Sequence, residues 1–146
     1  MNYRSIIERL PYDKPFLFVD DIHEASEEGV RGSFTFREEL DFYNGHFKDT
    51  PVTPGVILTE CCAQIGLACF ALFLINTSED HTIMALSSSE MEFYQPVYPG
   101  ERVEVISSKI YFRFGKLKCE VKMYNSDKVL VCKGHLSGML KPVADE

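Results

Sequence analysis

The feature that most constrains this chain is the stretch 56–75, twenty residues that are apolar almost throughout and are interrupted only by Glu60 and Gln64 near the start. Its length would suit one bilayer crossing. A carboxylate at bilayer depth costs about 2.5–3.5 kcal/mol, however, and Lys48 is the only basic residue close to either end. A helix that is apolar all round is otherwise the centre of a folded domain. The rest of the chain must then supply a surface that wraps it.

The flanking segments read as that surface. Residues 3–10 form a short helix with Ile6, Ile7 and Leu10 on one side, stopped by Pro11. Residues 16–23 are apolar and partly β-branched, a first strand. Residues 29–36 place Val30, Gly32, Phe34 and Phe36 on one face, a second strand. Residues 40–54 make a long loop rich in Asp, Asn, Gly and Pro, a length usually kept for function. After the helix a polar break at 76–81 leads into strands at 82–86, 89–93, 101–114, 117–124 and 128–140. Phe114-Gly115-Lys116 and Asn125-Ser126-Asp127 supply turns. The expectation is an α+β fold, one domain over 1–146, with an antiparallel sheet wrapped around one long central helix. Such a sheet covers one face of the helix, so the other face and the strand edge call for a partner.

Composition narrows the function. With 45% apolar and 25% charged residues the chain is an ordinary globular domain. Met1-Asn2-Tyr3-Arg4 opens no apolar signal region, and a cytoplasmic location is expected. Cysteines 61, 62, 69, 119 and 132 form no C-x-x-C pair and read as buried, reduced thiols, with a catalytic cysteine the lesser alternative. Neither they nor His23, His46, His81 and His135 have a zinc spacing, so no metal is expected. Up to Glu101 the chain holds 6 basic against 17 acidic residues; beyond it, 9 against 5. The run Lys109, Arg113, Lys116, Lys118, Lys122, Lys128, Lys133 reads as a solvated sheet face or as a docking patch for an acidic protein. Nucleic acid is not expected at a pI near 5.1 without a binding motif.

One stretch of twenty residues concentrates chemistry. His46 sits in Gly45-His46-Phe47, Pro54-Gly55-Val56 opens the apolar helix, and Glu60 and Gln64 follow one turn apart. A histidine titrates near neutral pH and can act as a base. A carboxyl in an apolar helix is desolvated, which keeps it partly protonated and able to donate. The N–H groups of Gly55 and Val56 at the helix start can receive a developing oxyanion. Gln64 orients Glu60 or bonds to backbone; both readings are open. Together these groups point to proton transfer on a carbonyl compound.

The stretch GHFKDTPVTPGVILTECCAQ resembles the core motif of the bacterial 3-hydroxyacyl-[acyl-carrier-protein] dehydratases, the FabZ-like hotdog family. Leu10-Pro11 with Pro15-Phe16-Leu17-Phe18-Val19-Asp20, and Phe93-Tyr94-Gln95-Pro96-Val97-Tyr98-Pro99-Gly100-Glu101, resemble that family's opening and late segments in the right order. The resemblance implies a hotdog fold and dehydration of carrier-bound 3-hydroxyacyl thioesters to trans-2-enoyl thioesters, with no cofactor. It implies His46 as base and Glu60 as acid, Gly55 and Val56 on the thioester oxygen, Gln64 in support, and Leu86, Phe93, Tyr94 and Val97 along an acyl tunnel. A glutamate at position 60 goes with dehydration alone, since the related isomerases carry aspartate. The implied partners are an acyl carrier protein and further copies of the chain, as a homodimer or a trimer of dimers. The chain departs from the pattern at Tyr12-Asp13, Lys48, Ser87-Ser88-Ser89 and Glu92, Tyr94 and Gln95, the last group replacing a basic stretch. A hotdog thioesterase and a non-catalytic acyl-binding subunit are the alternatives.

Overall fold

The computed structural model describes residues 2–75 and 82–142. The elements run α1 (Arg4–Glu8), β1 (Asp21–Ala25), β2 (Gly29–Thr35), a 3₁₀ turn (Asp41–Asn44), the long helix α2 (Gly55–Ile75), then β3 (Thr82–Phe93), β4 (Arg102–Arg113), β5 (Lys116–Tyr124) and β6 (Leu130–Pro142). The six strands form one antiparallel sheet in the order β1-β2-β4-β5-β6-β3. This is the expected α+β arrangement of one long helix against an antiparallel sheet.

Period-two patterning makes the sheet a wrapper. On β5, Leu117, Cys119, Val121 and Met123 are fully buried, while the residues between them face outward and are half-buried. The inward residues meet α2, where Cys61, Cys62, Ile65, Cys69 and Phe70 are fully buried. Helix α2 is long and apolar enough to cross a bilayer, yet 67% of its apolar window is buried inside the fold. It approaches the sheet tightly at Gly66. A Cβ there would lie 2.9 Å from Val121 Cγ1 and 3.1 Å from Ser107 Cβ. Ser107 Oγ donates to the Gly66 carbonyl at 3.0 Å. The contact falls within Gln64–Cys69, where the helix widens into a π turn, a form that appears as short insertions within α-helices.

The structure differs from the sequence expectation at several points. The first strand begins at Asp21, not Phe16. Residues 16–18 instead bond to the side chain of Gln64: Phe18 N–H donates to Oε1 at 2.7 Å and Nε2 donates to the Phe16 carbonyl at 3.0 Å. A buried amide has taken the place of a neighbouring strand. The expected strands 82–86 and 89–93 are one strand, because the register steps from Leu86↔Gly138 to Ser88↔Ser137 and absorbs Ser87 as a bulge. The long loop contains the 3₁₀ turn Asp41–Asn44. The expected break at 76–81 lies outside the described residues.

Replacing Gly66 with alanine forces a methyl between α2, Val121 and Ser107. Gly66→Ala is expected to lower stability by about 1–3 kcal/mol, read as a lower urea midpoint with an unchanged slope.

Candidate functional site

The loop before α2 holds His46 by backbone geometry. The Val52 N–H donates to the His46 carbonyl at 2.9 Å, and the His46 N–H donates to the Phe42 carbonyl at 3.0 Å. Further on, the Thr53 N–H donates to the Val97 carbonyl at 2.9 Å, and the Tyr43 and Thr53 hydroxyls are hydrogen-bonded. The His46 ring stacks on Phe47 with centroids 3.9 Å apart. Its Nδ1 lies 2.8 Å from the Val52 carbonyl oxygen. A carbonyl can only accept, so Nδ1 carries the proton of the neutral ring, and Nε2 is left with a lone pair. That is the tautomer a base requires.

Helix α2 starts at Gly55 with Pro54 extended before it. The Pro54 carbonyl accepts from Ile57 and Leu58. The N–H groups of Gly55 and Val56, the first of the helix, donate to nothing among the described residues. Val56 is 77% exposed, although its side chain is apolar. A cavity of about 610 Å³ opens beside it, between the helix start and the inner face of β3; Glu60, Thr59, Leu86, Ser89, Met91 and Phe93 form its walls with Gly55 and Val56.

Glu60 therefore shares a cavity with apolar side chains and the helix start. Its carboxyl is pushed above the ordinary value of 4.5 by burial, an effect partly offset by the hydrogen bond from Gln64 Nε2 to Oε2 at 3.0 Å. Gln64 does both things that the sequence left open: one amide orients Glu60 and bonds to the backbone of Phe16 and Phe18. Tyr12 is a neighbour that sequence reasoning passed over. Its phenol is pushed up to about 12 by burial and then by the charge of Glu60, so it stays protonated beside the carboxyl. Its only signal in the sequence was its place in the opening segment.

The expected tunnel residues separate. Leu86 and Phe93 line the cavity with Glu60. Tyr94 lines a smaller hollow of about 300 Å³ on the other side of Phe93. Val97 is fully buried in the core and borders neither. Thr59, Ser89 and Met91 line the cavity without having been expected there. All five cysteines are buried free thiols. Burial raises Cys69 far above the ordinary thiol value and pushes Cys119 up to about 11, which leaves neither as a thiolate nucleophile at neutral pH.

No hydrogen bond or ion pair joins His46 to Glu60 among the described residues, and His46 is not a wall of the Glu60 cavity. Within one chain the two side chains stand apart among the described residues.

With this geometry in view, the FabA-like domain family matches residues 10–135. The chain belongs to the FabA-like family. It is 33% identical over 142 residues to the 3-hydroxyacyl-[acyl-carrier-protein] dehydratase FabZ of Clostridium perfringens, covering 93% of this chain and 96% of that protein. It is 30% identical over 145 residues to the FabZ of Ehrlichia ruminantium, covering 96% of this chain and 97% of that protein. Among solved structures, the dehydratase heterocomplex ApeI:P from Xenorhabdus doucetiae superimposes with a TM-score of 0.79 at 12% identity, over 93% of this chain and 90% of that one. A hypothetical thioesterase from Streptococcus pneumoniae, solved with coenzyme A, gives 0.62 at 10% identity, over 86% and 88%. At such identities these likenesses speak for the fold, and the fold of this FabA-like chain is the hotdog.

The raised carboxyl has a consequence for stability. The folded state favours protonated Glu60, so Glu60 destabilises the fold increasingly as pH rises through its folded pKa, and the effect is absent below the ordinary value of 4.5. The difference in Tm between Glu60→Gln and the native chain is expected to move in favour of the variant between pH 4 and pH 8. A difference that moves the other way would contradict the burial of this carboxyl.

Proposed function

We propose that the protein reversibly dehydrates 3-hydroxyacyl thioesters, presented by an acyl carrier protein in the cytoplasm, to trans-2-enoyl thioesters. The observation that carries the reading is geometric: a histidine whose Nδ1 is committed to the Val52 carbonyl, and a carboxyl on the wall of a largely apolar cavity that burial pushes above its ordinary value. The family membership supports it. So does the name 3-hydroxyacyl-[acyl-carrier-protein] dehydratase borne by relatives that match nearly the whole chain.

In this reading Nε2 of His46 removes the α-proton of the thioester. Electron density moves onto the thioester oxygen, which the N–H groups of Gly55 and Val56 receive. The carbon–oxygen bond at C3 then breaks as Glu60 gives its proton to the departing hydroxyl, and water leaves. A carbon–carbon double bond remains, His46 holds the proton taken and Glu60 is ionised; exchange with water restores both. Gln64 fixes the carboxyl orientation throughout. The reverse steps hydrate the enoyl thioester.

His46 and Glu60 act together only if two chains combine. The β3 edge is unpaired in the single sheet. Next to it Leu86 and Phe93 remain 49% and 48% exposed despite their apolar side chains. Pairing of two β3 edges would extend the sheet and cover these residues. His46 of one protomer would then face Glu60 of its partner.

His46→Ala and Glu60→Gln are each expected to lower kcat by about 10²–10⁴-fold, the range for one positioned acid or base, with the fold retained. Ultraviolet absorbance of the enoyl thioester gives the rate in both directions, and thiol release is followed in parallel. Mixing the two inactive variants should restore part of the activity through hybrid sites. Thiol release without enoyl formation would replace this reading with a thioesterase. No recovery despite subunit exchange would remove the shared site.

A further inference from the structure

The basic run between Lys109 and Lys133 does not form one patch. On the outer sheet face Lys122 and Lys133 are register partners, and Lys133 also pairs with Glu92. One row along, Glu90, His135 and Glu120 stand side by side. Past that acidic row, at the β4–β5 hairpin, the sign changes. Arg113 pairs with Lys116 and Tyr111 with Lys118, so all four side chains share the outer face. The Arg113 guanidinium lies over the Tyr111 ring at 4.4 Å. Among the described residues no ion pair engages Arg113, Lys116 or Lys118.

The turn between these cations is Phe114-Gly115, with φ of 53° and 75°. Glycine adopts such a conformation freely. Phenylalanine does not, and two-residue hairpins of this kind favour asparagine or glycine. Phe114 is 95% exposed and makes no ring contact among the described residues. The chain thus holds an exposed aromatic ring on a turn of disfavoured backbone, framed by cations that no ion pair engages among the described residues. An aromatic anchor beside arginine is the composition of an interface hot spot.

We propose that this hairpin end is the docking surface for an acidic protein with an apolar cleft, with Phe114 as anchor and Arg113, Lys116 and Lys118 as its electrostatic frame. The identity of that partner as the substrate's acyl carrier rests on the dehydratase reading. Charge selects a protein over a bilayer. Glu90, Glu92 and Glu120 lie on the same face and would oppose an anionic membrane laid across it, whereas a narrow acidic ridge meets only the hairpin end. Position supports delivery to the site. In the proposed dimer, antiparallel pairing of the β3 edges brings the hairpin end of one protomer to the same end of the joint sheet as its partner's helix start. The hairpin strands are two and three places from that edge, about 10–15 Å at the usual strand spacing.

The test uses the whole chain 1–146 and the apo form of a bacterial acyl carrier protein, which lacks the arm that enters an active site and so reports docking alone. Phe114→Asn suits the positive φ and preserves the hairpin. It is expected to weaken apo-carrier binding about tenfold or more. Lys116→Glu with Lys118→Glu should do the same, and the native affinity should fall with salt. Turnover of a small 3-hydroxyacyl thioester should be unchanged in both variants. Equal binding by native and variant chains, or no binding by the native chain, overturns the proposal. So does binding to phosphatidylglycerol vesicles in place of the carrier with the same variant dependence. If the native chain binds apo carrier through Phe114 yet forms no enoyl product from the small thioester, the docking surface stands and the dehydratase reading falls.

Discussion

The side-chain amide of Gln64 is the interaction on which the site depends. It is fully buried within an apolar helix, where an unsatisfied amide would cost several kcal/mol. Its satisfaction organises three parts of the molecule at once: the Phe18 N–H, the Phe16 carbonyl and the Glu60 carboxyl. Residues 16–18 are thereby fastened to α2. Glu60 is held one turn from the helix start, and the same segment carries Tyr12 into its electrostatic reach. Loss of this amide would release a polypeptide segment and a carboxylate together.

Much of the architecture was legible in the sequence because burial is periodic. The alternation along residues 117–123 marks a sheet face, and the continuous apolar run after Gly55 marks a helix enclosed by it. What escaped was decided by single side chains acting at a distance. Residues 16–20 have the composition of a strand, but Gln64, more than forty positions away, takes the Phe16 carbonyl and the Phe18 N–H. Ser87 looks like a break between two strands, and only the pairing with β6 shows it to be one extra residue in a continuous ladder. The widened turn at Gln64–Cys69 has no local signature; it coincides with the contact of Gly66 with Ser107.

The candidate site was legible to a similar depth. Chemistry-bearing residue types at motif spacing drew attention to His46, Gly55, Glu60 and Gln64. The tautomer of His46 was not readable, since it depends on a carbonyl six residues on that a 3₁₀ turn and a chain of backbone bonds bring back to the ring. The cavity walls were readable only in part. Thr59 and Ser89 are small polar residues without a distinctive pattern, and Val97 has the composition of a wall but faces the core.

The bulge at Ser87 also affects which strands can associate with this protein. An unpaired edge is open to any extended chain, and regular edges invite indiscriminate growth into fibrils. Here the spacing of donors and acceptors along β3 is broken near its middle. A regular strand laid along that edge would lose step at Ser87 and leave bonds unmade, whereas a second copy, turned about a twofold axis, brings the same irregularity from the opposite direction. The extra residue thereby guards the edge against open-ended stacking.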